Sequence, residues 1–431
     1  MYPNLYYLVN DLLGVQLSAL KVVNSFGFFV AIAFLVAAFV FGVELKRKQA
    51  AGLLGYTEEQ ITVGEPATIA ELMSNAVLGF LFGYKILGVF YQSFRVANFD
   101  PQEYIFSTDG NIVLGIIMAA LMAFLRWQEK NKVKTDKPVQ RTLRIWPSDR
   151  VGDITILAAV AGFAGAKVFD NLENWDRFIQ DPIGNLFAAS GLTFYGGLLV
   201  ATAAIAYYLR KHKISFIHTA DAIAPALMLA YGLGRIGCQV SGDGDWGVYN
   251  SAYKVDSNGV LSAATDADFA TALQANNIYF TQHYGNAAHV PHMSWKGVSW
   301  LPDWLFAYSY PHNVNKEGVS LANCTWDDYC TQLPVPVIPT PLYEILMALT
   351  LFGVLWLLRK KIKIAGRMFA AYLFVNGVER FLIERIRVNT TYSIGGFHPT
   401  QAQLISSALI ITGIVLWLYA PKLKLNQSKA S

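Results

Sequence analysis

The feature that most constrains this chain is a series of apolar runs, each close to the length a helix needs to cross a bilayer. The runs are Phe26–Val43, about 69–94, Asn111–Leu125, about 154–169, Pro182–Leu209, Ala222–Gly237, about 342–358, about 368–386 and about 401–420. Inside lipid every backbone polar group must be satisfied within the protein, so runs of this kind become helices. Composition agrees: 54% of residues are hydrophobic and only 15% are charged, against roughly 25% charge in average soluble domains. The reading is an all-α polytopic membrane protein with about nine transmembrane helices.

The basic residues set an orientation. Lys46, Arg47 and Lys48 follow the first run. A stretch from Arg126 through Lys130, Lys132, Lys134, Lys137, Arg141 and Arg144 to Arg150 follows the third. Arg210, Lys211 and Lys213 follow the fifth, Arg359, Lys360 and Lys361 the seventh, and Lys422 and Lys424 the ninth. The alternate connections carry few Lys or Arg. By the positive-inside rule the clustered side is cytoplasmic, which places the N-terminus outside and the C-terminus inside. No basic n-region or small-residue cleavage site marks a removable signal peptide. Residues 4–20 read as a short amphipathic helix at the interface.

One outer connection, 239–338, is long enough to fold as an inserted extracytoplasmic domain. It is polar but keeps Trp246, Trp295, Trp300, Trp304 and Trp326, which is not the composition of disorder. The expected organisation is therefore a first membrane part over 1–238, with an extra helical pair at 60–130, the insertion over 239–338, and a last membrane part over 339–431. Cys324 and Cys330 share that oxidising loop and are expected to pair, with Cys238 left free. There is no zinc-ligand spacing, no phosphate-binding loop and no nucleic-acid motif.

Several stretches place polar groups where a span needs apolar ones. Residues 222–234 are uncharged; then Arg235 arrives, followed within twelve residues by Gly237, Gly242, Gly244, Gly247, Asp243, Asp245 and Trp246. Closely spaced glycines let the backbone turn sharply and approach a ligand. A guanidinium fork matches phosphate geometry. The plain alternative is a helix end with a snorkelling arginine. Arg380, Glu384 and Arg387 recur at i, i+4 and i+7 and share one helix face. A charge at the bilayer centre costs about 2.5–3.5 kcal/mol on insertion scales, so such residues face a cavity or one another. They form either a structural ladder between helices or a polar pocket. Lys85 and Lys167 sit where they could reach lipid head groups.

Taken together, these motifs resemble the prolipoprotein diacylglyceryl transferase family. The Gly234–Gly247 stretch is similar to that family's signature. Pro339 with Tyr343 and Glu344, the Arg380–Glu384–Arg387 helix, Phe194-Tyr195-Gly196-Gly197, Asp221 with Pro225, and Gln403 match other family segments. The resemblance covers about 150–240 and 337–420, with a weaker match at Ser25-Phe26-Gly27. It implies a bacterial inner-membrane enzyme that moves a diacylglyceryl group from phosphatidylglycerol to the lipobox cysteine of a prolipoprotein and releases glycerol-1-phosphate. Its partners would be that lipid, the prolipoprotein segment and the surrounding membrane lipids, with no nucleic acid, no cofactor and no metal. Arg235 and Arg380 would hold the phosphate and stabilise the leaving group. Tyr195 would donate a hydrogen bond, and Glu344 or Glu384 would take the thiol proton, with His398 as the alternative base. Gly247, Gly196, Gly197, Asp243, Tyr343, Arg387 and Gln403 would complete the substrate site.

The chain departs from the family at Tyr195, Cys238, Ile338, Asn376 and Phe26, and in its extra helical pair and long insertion. These departures bear on the base more than on the reaction. A lipid or solute transporter with an intramembrane Arg/Glu cavity is the alternative from another class. Transporters usually show two related halves, and here only Gly83-Tyr84-Lys85 and Gly165-Ala166-Lys167 echo each other. The topology is open to direct test. A reporter fused at Asn286 should be active only outside the cytoplasm and one at Lys134 only inside; the opposite pattern would overturn the orientation.

Overall fold

A computed structural model describes residues 1–423 except 97, 98, 100, 136–138, 188–190, 192, 257, 258, 287, 288, 327, 390, 391 and 393–396. Lys137 and Lys424 of the basic clusters and Leu192 of the Tyr195 motif lie outside the described residues. Seven helices among those described are long and apolar enough to cross a membrane. They are α1 (Ser25–Ala50), α2 (Ile69–Ser93), α3 (Ile112–Lys132), α4 (Pro147–Glu173), α6 (Phe216–Ser241), α7 (Thr340–Leu358) and α9 (Gln401–Lys422). Two further helices, α5 (Phe194–Lys211) and α8 (Arg367–Ile383), do not combine that length and apolarity. The fifth apolar run is not one helix as expected. It divides into a short helix Pro182–Phe187 and α5. Its Pro182 opens the first piece, a position where proline's missing N–H costs nothing.

The chain falls into two compact units. One comprises Met1–Val15, Val23–Glu44 and the described residues from Ile217 onward; the other comprises Gln16–Val22 and the described residues of Leu45–Phe216.

In the second unit, α2 and α3 pack through glycines. A Cβ on Gly83 would lie 2.2 Å from the Leu114 carbonyl, and one on Gly79 2.5 Å from that of Met118. Glycine at these places lets two backbones approach as membrane helices do. The helices α4 and α5 meet the same way, through Gly165 and Gly196. Strand β1 (Thr57–Val63) pairs antiparallel with β2 (Val139–Ile145). Arg150 is buried against Glu59 and the Tyr208 hydroxyl. The two echoing lysines turn inward. The Lys85 ammonium donates to the carbonyls of Tyr104 at 3.0 Å, Ser107 at 2.5 Å and Asp109 at 2.6 Å. Lys167 is 5% exposed and donates to the Gly191 carbonyl at 3.4 Å. An ammonium leaving water needs such acceptors, and the backbone carbonyls supply them.

Residues 4–20 do not form one continuous helix. Asn4 caps Leu5–Leu13, and Gly14, with φ +67°, ends it. The N-terminal ammonium donates to the Pro311 carbonyl at 2.7 Å. Residues 242–338 surround a buried cluster of Tyr249, Phe269, Phe280, Val290, Tyr310, Leu333, Val335 and Val337. Helices Asp266–Ala275 and Asn277–Tyr284 lie within this stretch. Cys324 and Cys330 form a disulfide there, and Cys238 is free and buried. Trp326, inside the disulfide loop, stacks on Tyr7 at 4.3 Å and on His312 at 4.1 Å.

Helices α8 and α9 pack closely at Gly377 and Gly413. The start of α8 depends on α6. Asp221, 2% exposed, accepts from the backbone N–H groups of Gly366 and Phe369, both at 2.9 Å. These are two of the donors a helix start leaves without intrahelical partners. Replacing a capping side chain costs about 0.5–2 kcal/mol, so Asp221→Ala should lower the unfolding midpoint in detergent. Asn, with one acceptor oxygen, should recover part of the loss. No change for either variant would show that α8 does not rely on this cap.

Candidate active site

Glu344 is at the centre of the site. It lies in the second turn of α7, whose start is set by Pro341 near the first helical position, and its side chain is fully buried. Three guanidiniums reach it. Arg235 Nε of α6 is 2.9 Å from Oε2, Arg380 of α8 is 3.1 Å from Oε1, and Arg387 is 3.8 Å from Oε1. The Arg235 and Arg387 approaches are ionic contacts rather than well-directed hydrogen bonds. Arg380 also pairs with Glu384 at 3.2 Å, one turn along. Arg380 and Glu384 thus turn inward together, as their i, i+4 spacing implies, but the expected face does not extend to Arg387: the α-helix ends at Ile383, a short 3-10 turn follows, and Arg387 reaches Glu344 from extended backbone beyond it.

Asp245 closes the network from the glycine-rich stretch. It pairs with Arg235, and its Oδ1 accepts from Arg387 at 2.5 Å. Gly242 and Gly244 have φ of +65° and +93°, a region that a side chain would strain, and the turn they make returns the chain to the arginines. Burial alone would raise the Asp245 carboxyl, but the two arginines hold it down at about 2. Asp243, whose Oδ1 accepts from the Asp245 N–H at 3.4 Å, is pushed up by burial and by the charge of Asp245. Cys238, Asp243 and Asp245 offer ligand atoms within 4.8 Å of one another. Arg235 already bonds to Asp245 and lies 3.7 Å from the Cys238 sulfur, so the protein supplies positive charge to this cluster itself.

The other residues singled out from the sequence have different places. The Gly247 N–H donates to the Ile338 carbonyl at 2.8 Å, and Gly247 bridges Arg387 backbone to backbone. A Cβ there would lie 2.5 Å from the Ile386 carbonyl. Gly247 therefore holds Arg387 in position, and its amide is not available to a ligand. The Tyr343 hydroxyl donates to the Leu305 carbonyl at 2.5 Å, which ties α7 to the insertion. The Gln403 side chain accepts from the Thr400 N–H at 3.1 Å in a capping box that opens α9. Gly196 and Gly197 are buried against α4. Tyr195 is half-buried at the second position of α5, edge-on to Phe194; these three residues belong to the second unit. His398 is exposed and is not a member of the ionic network.

Two residues of the network were not anticipated. The Tyr231 hydroxyl lies 3.0 Å from Glu344 and 3.3 Å from Glu379. Glu379 is 3% exposed. The available signal was spacing. Tyr231 is one turn before Arg235, and Glu379 adjoins Arg380 within a span, where a carboxylate is costly.

A family model, described as prolipoprotein diacylglyceryl transferase, matches residues 110–419. The chain belongs to that family. A phosphatidylglycerol–prolipoprotein diacylglyceryl transferase of Shouchella clausii is 24% identical over 63% of this chain and 76% of its own length. One of Corynebacterium glutamicum is 24% identical over 63% of this chain and 69% of its own. One of Dehalococcoides mccartyi is 21% identical over 75% of this chain and 94% of its own. The family match contains every residue of the ionic network, whereas α1 and α2 precede it.

The network's stability can be measured. Removing one member of a buried ionic set costs about 3–5 kcal/mol because its partners stay buried and uncompensated. Glu344→Gln should therefore unfold at markedly lower denaturant than the parent. Asp245 contributes through its lowered pKa: its share is complete above the ordinary carboxylate value of 3.8 and is lost as pH falls toward about 2. Glu344→Gln with parental stability would remove Glu344 from the centre of the network.

Proposed function

We infer that this chain transfers the diacylglyceryl group of phosphatidylglycerol to the lipobox cysteine thiol of prolipoproteins, the first step of bacterial lipoprotein maturation. The observation that carries this reading is the convergence of Arg235, Arg380 and Arg387 on one buried carboxylate, within a chain of that family. Guanidiniums converging at one point suit a phosphate diester whose acyl chains remain in lipid. In the proposed reaction the cysteine sulfur attacks the diacylglyceryl carbon that bears the phosphate. The C–S bond forms as the C–O bond breaks, and the electron pair stays on glycerol-1-phosphate. Arginines already in place around that oxygen stabilise the charge as it develops.

The thiol proton must leave for the sulfur to attack, and a thiol with a reference pKa near roughly 8.5 needs only a weak base. We assign it to the buried carboxylates, Glu344 or Glu384. Tyr195, an acid or donor near neutral pH, would donate to a phosphate or glycerol oxygen. Asp243 and Arg387 would complete the substrate site. Nine spans with the N-terminus outside, residues 239–338 on the outer face and the C-terminus in the cytoplasm would place this chemistry where secreted precursors emerge. The basic clusters support that arrangement. A transporter reading gains nothing from the ionic network, which is an interlocked cluster.

Transfer to a lipobox peptide in phosphatidylglycerol vesicles tests the assignment. Charge-assisted hydrogen bonds contribute roughly 1.5–3 kcal/mol each, so Arg235→Ala or Arg380→Ala should slow transfer at least about tenfold. Lysine should rescue poorly, since it lacks the fork. Tyr195→Phe should lower the rate without moving the lower limb of the pH–rate profile, which Glu344→Gln or Glu384→Gln should abolish. Folded arginine variants with parental rates would refute the phosphate clamp. Loss of the limb in His398→Ala alone would make the histidine the base.

A further inference from the structure

The loop over residues 293–304 exposes more large apolar side chains than the rest of the insertion. Trp300 is 78% exposed, Trp304 47%, Val298 46%, Trp295 39% and Met293 38%. Exposed apolar groups this concentrated mark a surface that something covers. The loop is held in shape from within. Asn250, fully buried, accepts from the Trp295 N–H at 3.0 Å and donates to the carbonyls of Trp295 at 2.9 Å and Phe306 at 3.0 Å. The Tyr253 hydroxyl accepts from the Gly297 N–H at 3.0 Å and donates to Asp303 at 2.9 Å. The indoles are therefore presented on a fixed frame.

The position of that frame identifies what covers them. Tyr343 stands in the first turn of α7, and its hydroxyl bonds to the Leu305 carbonyl next to Trp304. The Trp295 and Tyr343 rings are 6.0 Å apart. The helix is long and apolar enough to cross a membrane, and its exposed apolar surface begins at Leu346, about one helical turn beyond Tyr343 at 1.5 Å per residue. The loop is thus fixed at the depth where α7 enters the bilayer. Indoles favour that depth, with an apolar body in the acyl boundary and an N–H among the head groups. Lys296, exposed in the same loop, suits an anionic surface.

We propose that residues 293–304 form an interfacial anchor that seats Trp300 and Trp304 among the head groups of the leaflet into which the start of α7 runs. The inference rests on α7 spanning the membrane and is independent of the catalytic assignment.

Spin labels test it in the full chain, in vesicles of phosphatidylcholine and phosphatidylglycerol. Labels go on Trp300→Cys, Trp304→Cys and, as a control, Ile278→Cys. Ile278 is 77% exposed elsewhere in the insertion. Cys238 is buried and Cys324 is bonded to Cys330, so the introduced thiol takes the label. Collision with oxygen relative to a water-soluble nickel chelate should be several-fold higher at 300 and 304 than at 278. Equal chelate access at all three sites would overturn the anchor. Labels at 300 and 304 shielded from both reagents would also overturn it, because the surface would then be covered by protein.

Discussion

The rest of the site depends on one buried carboxylate. Glu344 has no contact with solvent, and three guanidiniums carried by two helices and a helix end point at it. Each of those arginines would be costly alone in an apolar surrounding. Collected around one anion, with Asp245 and Glu384 taking their outer faces, they become tolerable and mutually oriented. Removing the carboxylate would leave like charges facing one another at close range.

That arrangement is held by backbone as much as by charge. Three chain segments meet beside the arginines. Val248 donates to Ile386 at 2.9 Å and accepts from Ile338 at 3.0 Å, while Gly247 donates to Ile338. The Thr340 hydroxyl donates to the Asp245 carbonyl at 2.7 Å. These bonds connect the end of the glycine-rich stretch, the end of the insertion and the end of α8. The long excursion over 248–337 therefore starts and finishes at one place, and its length does not disturb the ionic network.

The sequence made the membrane class, the Arg380–Glu384 pair and the disulfide legible, because each has a short-range signature: apolar length, i, i+4 spacing, or a shared compartment. It was less informative about how glycines and polar tips are used. Gly247 carries a family position, yet its neighbours are backbone atoms far along the chain, and no local pattern announces them. The inward turn of Lys85 depends on carbonyls some twenty residues away. The fifth run is uncharged throughout, so hydropathy alone could not show where it breaks. Tyr231 and Glu379 escaped notice because a tyrosine within an apolar span is unremarkable until its partner on another helix is known.

The ionic network also limits how an anion can bind. Arg235, Arg380 and Arg387 are matched by Asp245, Glu344 and Glu384, three charges of each sign. Those three pairs balance one another, and Glu379, reached through Tyr231, is a further carboxyl of the network. A phosphate diester held by these arginines would bring a further negative charge, which a poorly solvated site does not screen. Each arginine such a group would use already has a carboxylate partner. The Tyr231 hydroxyl has one hydrogen and lies between two carboxyl groups. It can donate to only one of them, and the other completes the contact only by donating a proton of its own. Glu379 has no arginine within ion-pair distance among the described residues, whereas Glu344 has three. Tyr231 is therefore the hydrogen-bonded link that joins Glu379 to the cluster among the described residues.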